Sequence, residues 1–424
     1  MRKIITLTFL ASALGVAGLL GASQKVVEKE AQDARIIVSF KSYSENMTQA
    51  QVAAYQDYSL SLIREEVTSN FTVKQRYKTL LNGVVLTVPS SQVYAIRNLS
   101  FVDNVDYDTV HHEVLGDGEI MTITRAGADA ESENISGVTM NVPENTNKGE
   151  GVLVGILDTG FLINHTHEGK VYTHESFTAL DSGVATKLSK SDVDSLTGLN
   201  AEAKDVDSLY FNSKVPFYYN YGGKVDTRDD YGKVFNASND VYSPVSDHGQ
   251  HVASMAAGNG PSYKGIASNA QLALFKTSTD YIPNSSESKT YAESSGFFDS
   301  AVIAALEDAK ILGCDVLNMS FGSDLNDFED DSIVHKLLAD LLENGIWSNY
   351  AAGNSGKGYY GGTAYQGWTM DMIETGILSG SANLESVMTV GASQAQKEFY
   401  NTAIQINGQN ISYMDEVNAD DNTH

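Results

Sequence analysis

The sequence predicts an α/β protein whose doubly wound, mostly parallel sheet is preceded by a small α+β domain. Two observations support this fold class. Between residues 151 and 392, five short, continuous apolar runs are separated in several places by helical segments, which is typical of strands buried on both faces of a parallel sheet. Before them, residues 34–108 show the order strand, helix, strand, strand, helix, strand, which is typical of a ferredoxin-like domain.

Composition limits the class of protein. The chain has 424 residues, of which 42% are hydrophobic, and this is enough for a large core and more than one domain. Its 54 acidic and 28 basic residues give a formal charge of −26, which argues against nucleic acid or an anionic membrane as a partner. The single cysteine, Cys314, excludes an intramolecular disulfide and is expected in the core.

The first 23 residues have the layout of a secretory signal. Arg2 and Lys3 precede an apolar run over residues 4–20, and small residues follow at 21–23. The alternative is an uncleaved membrane anchor, because the run is near the shortest length that spans a bilayer. We expect a signal peptide at residues 1–23, a secreted protein, and no membrane span after the signal is removed.

The small domain is expected over residues 24–115. Its strands are predicted in ARIIVSF (34–40), FTVKQRYKTL (71–80), NGVVLTV (82–88) and FVDNVDYD (101–108), with a turn at Asn82-Gly83. Its helices are predicted from Thr48 to Val67 and in SSQVYAIRNL (90–99), which a serine caps. Residues 116–149 are rich in Gly, Asp, Glu, Asn and Thr, which indicates a linker exposed to cleavage.

In the larger domain, the predicted strands are GVLVGIL (151–157), AQLALFK (270–276), DVLNMSF (315–321), GIWSNYAA (345–352) and SVMTVGA (386–392). One predicted helix is capped by Asp299 and stops at Gly313, and a second ends at Asn344-Gly345. Sites in such sheets form at the carboxyl ends of the strands. The stretch KEFYNTAIQINGQNISYMDEV (397–417) changes to strand-like alternation around Asn407-Gly408.

Two polar residues at predicted element ends suggest an acid–base pair. Asp158 follows the first strand in VGILDTGF, where a buried carboxylate needs a partner, although a turn-capping Asp is the plainer interpretation. His248 begins a predicted helix in SDHGQHVASMAAGNG (246–260). There it fits a general base that lies within reach of a nucleophile and has an orienting carboxylate behind it. His251 lies inside the same helix and is expected to be a hydrogen-bonded core residue.

A zinc site at His248 and His251 is the alternative, with His165 and His167 as further ligands. The spacing places the first two histidines on one helix face. However, no HExxH pattern and no cysteine pair accompanies them. We therefore expect no metal ligand among these histidines.

Asn354 is a third polar residue that follows a predicted strand, and it lies between two glycines in NYAAGNSG. A side-chain amide held there can donate to a developing oxyanion, an interaction worth about 3–4 kcal/mol in acyl transfer. A plain Gly-Asn turn explains the same residues, so this motif alone is weak.

The motifs ILDTG, DHGQHVA, VLNMSFG, AAGNSG and VMTVGAS occur in one fixed order. In this order they resemble the subtilisin-like serine peptidases (S8 family), and within that family the cell-envelope proteinases of the lactocepin and C5a-peptidase type. The resemblance implies a catalytic domain over residues 150–396 and the start of a protease-associated insert at 397–424. It also implies that residues 24–115 are an inhibitor-type propeptide, that substrates are polypeptides, and that the protein is extracellular, with cell-wall attachment through regions outside this chain.

The resemblance also implies a role for each catalytic residue. Asp158 would orient and stabilise the imidazole, His248 would act as general base and then acid, and Asn354 would donate to the oxyanion. Gln250 departs from the Thr that is usual in the family's HGTH motif, and we expect only local repacking there.

Five further residues are implied in substrate binding. A peptide would add as a strand along one edge and would place the residue before the cut in a walled pocket. The edge residues are Ser320, Phe321 and Gly322, and the pocket residues are Ala352 and Gly353.

The nucleophile segment of the family, GTSMAxP, does not occur in this sequence. ASMAAG (253–258) matches it only in part, and Ser254 lies six residues after His248, about 120° around the helix axis. Its hydroxyl is therefore not expected to reach the imidazole, and Ser355, which directly follows the oxyanion residue, is also rejected. We expect a serine endopeptidase truncated before its nucleophile, so this chain alone should have negligible activity.

Two other classes stay open. One is a catalytically inactive relative that binds peptides, and the other is a metal-dependent hydrolase. No cofactor is required by the predicted reaction. Structural calcium is common in the family, but no loop of this sequence has convincing ligand spacing.

Overall fold

A computed structural model describes residues 33–41, 47–112, 147–202, 208–225, 233–234, 238–282, 294–322, 332–353, 359–360, 363–364, 380–391, 402–406 and 409–413. The predicted signal peptide, nearly all of the predicted linker, Asn354 and Ser355 lie outside these residues. The helices are α1 (Gln49–Glu66), α2 (Val93–Arg97), α3 (Lys190–Ser195), α4 (His248–Ala257), α5 (Asp299–Leu312) and α6 (Ile333–Glu343).

An N-terminal domain is built on a four-stranded antiparallel sheet. Its strands are β1 (Asp33–Phe40), β2 (Thr72–Tyr77), β3 (Gly83–Pro89) and β4 (Val102–Tyr107), in the order β2-β3-β1-β4. Alternate strand residues such as Ile36 and Val38 pack with Leu60 and Ile63 of α1 in one core. Helix α1 begins where predicted, because Thr48 forms a capping box with Gln51.

The predicted turn at Asn82-Gly83 is wrong. Gly83 is the first residue of β3, and the chain reverses over residues 78–82. The backbone amides of residues 78–81 donate to Glu307 of α5. This tertiary contact shapes the loop and is not visible in the local sequence.

Among the described residues, the larger domain contains a six-stranded parallel sheet, in which the five predicted runs each supply a strand and Phe217–Asn220 is a strand that the sequence did not predict. Its strands are β6 (Leu153–Asp158), β9 (Phe217–Asn220), β11 (Gln271–Lys276), β14 (Val316–Met319), β15 (Trp347–Ala351) and β18 (Val387–Val390), in the order β18-β15-β14-β6-β11-β9. Leu157 belongs to the core that includes α5 and α6, whereas Ile156 belongs to the core that includes α4. Helices therefore cover both faces of the sheet.

The other described strands pair outside this sheet. They are β5 (Val110–His112), β7 (His165–His167), β8 (Lys170–Tyr172), β10 (Lys233–Val234), β12 (Ser278–Ile282), β13 (Ser294–Phe298), β16 (Tyr359–Tyr360), β17 (Thr363–Ala364), β19 (Thr402–Ile406) and β20 (Gln409–Tyr413). Strands β10, β12, β13 and β5 form an antiparallel sheet in that order. Strands β19 and β20 form an antiparallel pair, so the strand alternation predicted there is confirmed.

Two expectations about the larger domain need correction. The run around β18 is not buried on both faces, because this strand is at the edge of the sheet and exposes Met388 and Val390. Asp299 is the first residue of α5 and does not cap it, because Asp108 of the N-terminal domain accepts the Ser300 amide instead.

The predicted ends of α5 and α6 and the predicted burial of Cys314 are confirmed. Helix α5 ends at Gly313, which has a φ of 68°, and α6 ends at Asn344 before Gly345, which has a φ of 80°. Cys314 is buried, and burial raises the pKa of its thiol. Among the described residues, no helix has the length and apolarity needed to cross a membrane.

Candidate active site

Asp158 ends β6 at the centre of the parallel sheet. Its side chain is fully buried, and Oδ1 accepts the Thr159 amide at 2.7 Å. Its backbone oxygen accepts the Thr277 amide at 3.1 Å, so β11 fixes the main chain beside it. A carboxylate buried this deeply needs a polar partner.

His248 supplies that partner. Its Nδ1 lies 2.8 Å from Oδ1 of Asp158, and its side chain is 38% exposed while that of Asp158 is 0% exposed. A carboxylate at Nδ1 fixes the tautomer that carries its proton there and leaves the other ring nitrogen to accept a proton. The two residues that the sequence pairs are therefore in hydrogen-bond contact.

Gly249 allows helix α4 to approach the end of β6. A Cβ atom at this position would lie 2.7 Å from the Gly160 oxygen and 2.9 Å from Cβ of Asp158. The Gly249 amide donates to Oγ1 of Thr159 at 3.0 Å. The sequence did not reveal a role for Thr159, although this residue directly follows Asp158 in DTG.

Gln250 connects α4 to the loop after β6. Its Oε1 accepts the Leu162 amide at 3.0 Å, and its Nε2 donates to Oγ of Ser254 at 3.0 Å. The Ser254 hydroxyl in turn donates to the backbone oxygen of Gln250 at 2.8 Å. Ser254 is thus buried and bonded within its own helix, as expected for a serine that is not the nucleophile.

The expectation that His251 is a core residue is wrong, because its side chain is exposed. The buried face of α4 is formed by Gly249, Ala253, Ser254 and Ala257. His251 does not belong to this face. His165 lies on the β7–β8 hairpin, where its Nδ1 is 2.9 Å from Asp240. No group of three or more His, Cys, Asp or Glu side chains in the described part of the chain is arranged to hold a metal ion.

The predicted substrate residues follow two strands on the same side of β6, namely its neighbour β14 and the next strand, β15. Ser320, Phe321 and Gly322 follow β14, whereas Ala352 and Gly353 follow β15. Because parallel strands end at the same edge of a sheet, these residues lie at the edge that carries Asp158. Asn354 follows Gly353 but lies outside the described residues.

Phe321 connects this edge to the antiparallel sheet. Its ring is 8% exposed and stacks on Phe297 of β13, with a centroid distance of 4.2 Å and an interplanar angle of 13°. Strand β5 of the N-terminal domain pairs with β13, with Phe297 opposite His111 and Phe298 opposite Val110. A segment of this chain therefore already lies on β13 as an added antiparallel strand.

The comparisons with known proteins agree on one family. A model described as the subtilase family matches residues 149–417. The PI-type proteinase of Lactococcus lactis subsp. cremoris is 29% identical over 338 residues, which are 78% of this chain and 14% of that protein. The C5a peptidase of Streptococcus pyogenes serotype M3 is 26% identical over 276 residues, which are 61% of this chain and 19% of that protein.

The chain thus spans less than a fifth of the length of either relative. The solved structure of the epidermin leader peptide processing serine protease (EpiP) from Staphylococcus aureus aligns with a TM-score of 0.43 at 13% identity, over 85% of this chain and 70% of that chain. The resemblance to the subtilisin-like serine peptidases, including cell-envelope proteinases, is confirmed by the family match and the relatives. Since that match covers more than half of its residues, this chain belongs to the subtilase family, whose members are serine endopeptidases.

Proposed function

We propose that this chain is the N-terminal part of a secreted serine endopeptidase in which Asp158 and His248 are two members of an Asp-His-Ser triad. The observation that carries the proposal is the 2.8 Å hydrogen bond between the buried carboxylate and the half-exposed imidazole. His248 takes the proton of the attacking hydroxyl, and Asp158 stabilises the imidazolium that forms. His248 then returns the proton to the leaving amine.

The nucleophile is proposed to be a serine outside residues 1–424. Ser254 is engaged with Gln250, and the relatives are more than five times longer than the segments that align with this chain. In acyl transfer, the oxyanion would accept hydrogen bonds from the amide of Asn354 and from the backbone N–H of that serine.

Polypeptides are the proposed substrates. An extended peptide would add to the edge formed by Ser320, Phe321 and Gly322 and by β13, and would be held mainly by backbone hydrogen bonds. The pairing of β5 with β13 supports this mode, because it shows that the β13 edge accepts an antiparallel strand. Ala352 and Gly353 would wall the pocket for the residue before the cut.

The N-terminal domain is proposed to be a ferredoxin-like propeptide that inhibits the catalytic domain within the same chain. Its sheet order, β2-β3-β1-β4, fits that fold. The buried carboxylate of Glu307 on α5 accepts the amides of residues 78–81 at 2.8–3.2 Å. If the domain undocked, this carboxylate would lose these four backbone donors.

Two acids of the N-terminal domain also cap helices of the catalytic domain. Asp108 accepts the Ser300 amide at 2.9 Å at the start of α5, and Asp106 accepts the Ile333 amide at 2.8 Å at the start of α6. Carboxylates favour helix N-termini because unpaired amides and the positive end of the dipole meet there. The domain is therefore suited to help the catalytic domain fold while β5 occupies the substrate edge.

The proposed location is extracellular. Residues 1–23 would be removed as a signal peptide, and regions outside this chain would attach the protein to the cell wall. The Lactococcus and Streptococcus relatives support this location only by similarity.

The proposal is tested by extending the chain. The gene is sequenced past codon 424 for an in-frame GTSMA-like segment, and the extended protein is assayed for casein hydrolysis. We expect hydrolysis that is lost in His248→Ala and retained in His251→Ala, the exposed histidine of the same helix. If the extended protein bound casein without cleaving it, the protein would instead be a catalytically inactive, peptide-binding relative.

A further inference from the structure

A buried lysine lies beside the Asp158–His248 pair. Lys276 is the last residue of β11 and is opposite Asp158 in the parallel ladder. Its side chain is 1% exposed, and Nζ donates to the Thr159 oxygen at 2.6 Å, to Oγ of Ser278 at 2.9 Å and to Oδ2 of Asp280 at 2.9 Å. All three ammonium hydrogens therefore have an acceptor.

The carboxylate that pairs with Lys276 comes from the antiparallel sheet, whereas Lys276 itself comes from the parallel sheet. Asp280 lies on β12, is 1% exposed, and accepts the Ser243 hydroxyl at 3.2 Å through Oδ1. Strand β12 pairs with β13, the strand that holds β5. The Lys276–Asp280 ion pair thus joins the end of β11, opposite Asp158, to the paired strands β12 and β13 of the proposed peptide edge.

Thr159 is the link between this ion pair and the catalytic residues. Its amide donates to Oδ1 of Asp158 and its Oγ1 accepts the amide of Gly249, the residue next to His248. Its carbonyl oxygen accepts both Lys276 and the Ser278 hydroxyl. A shift of Thr159 would therefore move the supports of both the carboxylate and the imidazole.

We propose that the Lys276–Asp280 ion pair is a positioning device that holds Thr159, and through it the Asp158–His248 hydrogen bond, in fixed register with the β12–β13 edge. Neither residue contacts the reacting atoms, so both are positioning residues and not catalytic ones. The inference deepens the proposed peptidase function and rests on it.

The energetics of buried ion pairs make it possible to distinguish a positioning role of this pair from a contribution to the stability of the fold. A buried ion pair is often no more stabilising than apolar side chains of similar volume, whereas removal of one partner leaves a costly buried charge. The double variant Lys276→Met/Asp280→Leu removes both charges together and is expected to stay folded. If the pair positions the site, this folded variant should still lose the geometry at His248.

The experiment uses the full 424-residue chain with ¹⁵N-labelled histidine. The NMR signal of the Nδ1 proton of His248 is assigned by its absence in His248→Ala, and its exchange with water is measured. We expect a slowly exchanging downfield signal in the original chain, and its loss or marked broadening in the double variant at unchanged melting temperature. Asp280→Asn, which keeps an acceptor for Lys276, is a milder second variant in which exchange should quicken.

The matched control is Lys214→Met. Lys214 is also buried, but it donates to Ser268 and Ala270 at the other end of β11, so its loss should leave the His248 signal unchanged. An unchanged signal in the folded double variant, or in Asp280→Asn if the double variant does not fold, overturns the positioning role alone. Absence of the signal from the original chain overturns the Asp158–His248 pair and with it the proposed function.

Discussion

The carboxylate of Glu307 lies 2.8 Å from the backbone nitrogen of Thr79, so an acid on α5 is covered by a loop of the N-terminal domain. The side chain is 1% exposed, and Asn200 also donates to it at 2.9 Å. The docking of the two domains therefore depends on a buried charge satisfied mainly by backbone amides.

Glu307→Gln should loosen this contact. Hydrogen bonds to a charged acceptor contribute about 1.5–3 kcal/mol each, so the amides of residues 78–81 should exchange hydrogen about tenfold faster or more. Hydrogen-exchange mass spectrometry measures this change. The exposed Glu343 at the end of α6 provides the control Glu343→Gln, which should change nothing. Equal protection in all three proteins would contradict the role given to Glu307.

Asp108→Asn should destabilise the chain. The substitution weakens the cap on Ser300 and the ion pair with Arg35, which together justify a loss of about 1–2 kcal/mol in the free energy of unfolding. Urea unfolding followed by fluorescence measures it. Asp103, which is 51% exposed, is the control, and Asp103→Asn should cost almost nothing. Equal effects of the two variants would show that capping by Asp108 contributes little.

Gly249→Ala should separate His248 from Asp158. The added methyl group would overlap the backbone oxygen of Gly160 at 2.7 Å, so α4 must move away from β6, at a cost of about 1–3 kcal/mol. In the extended protein we expect a fall in kcat. Gly391→Ala is the control, because a Cβ atom there meets no heavy atom within 4 Å. Full activity of Gly249→Ala would show that the close approach is not needed.

Lys214 should give the chain a distinct pH dependence. Burial, with a smaller effect of Lys264, lowers the pKa of Lys214 to about 7. The unfolded chain therefore binds more protons than the folded chain above pH 7 and up to about pH 10. The free energy of unfolding should rise across this window, by at most about 1.4 kcal/mol per pH unit.

Urea unfolding at pH 7, 8 and 9 measures this slope, and Lys214→Met should remove it. Lys336→Met is the control, because Lys336 is 49% exposed. Its slope should match that of the original chain. A slope retained in Lys214→Met would mean that other groups produce the pH dependence.

The sequence predicts five of the six described parallel strands and the Asp158–His248 pair, for a physical reason. Strands buried on both faces are continuous apolar runs, so a polar residue directly after such a run is conspicuous. Asp158 is such a residue. The glycine after His248 marks a helix start that can come close to the end of β6. These signals are local in the chain.

Features that depend on tertiary packing were not predictable in this way. The spacing of His248 and His251 does not tell which face of α4 is buried, and His251 is exposed. The cap of α5 comes from Asp108, far away in the sequence. Lys276 ends an apolar run and is buried with Asp280, although a lysine at a strand end usually indicates solvent exposure.

The central claim is that Asp158 and His248 activate a serine supplied by another segment. A fluorophosphonate probe, followed by mass spectrometry of the labelled peptide, measures this most directly. The account predicts that the extended protein is labelled on a serine beyond residue 424, that His248→Ala abolishes labelling, and that the 424-residue chain stays unlabelled. Labelling of Ser254 or Ser355 in the 424-residue chain, or no labelling of a folded extended protein, would contradict it.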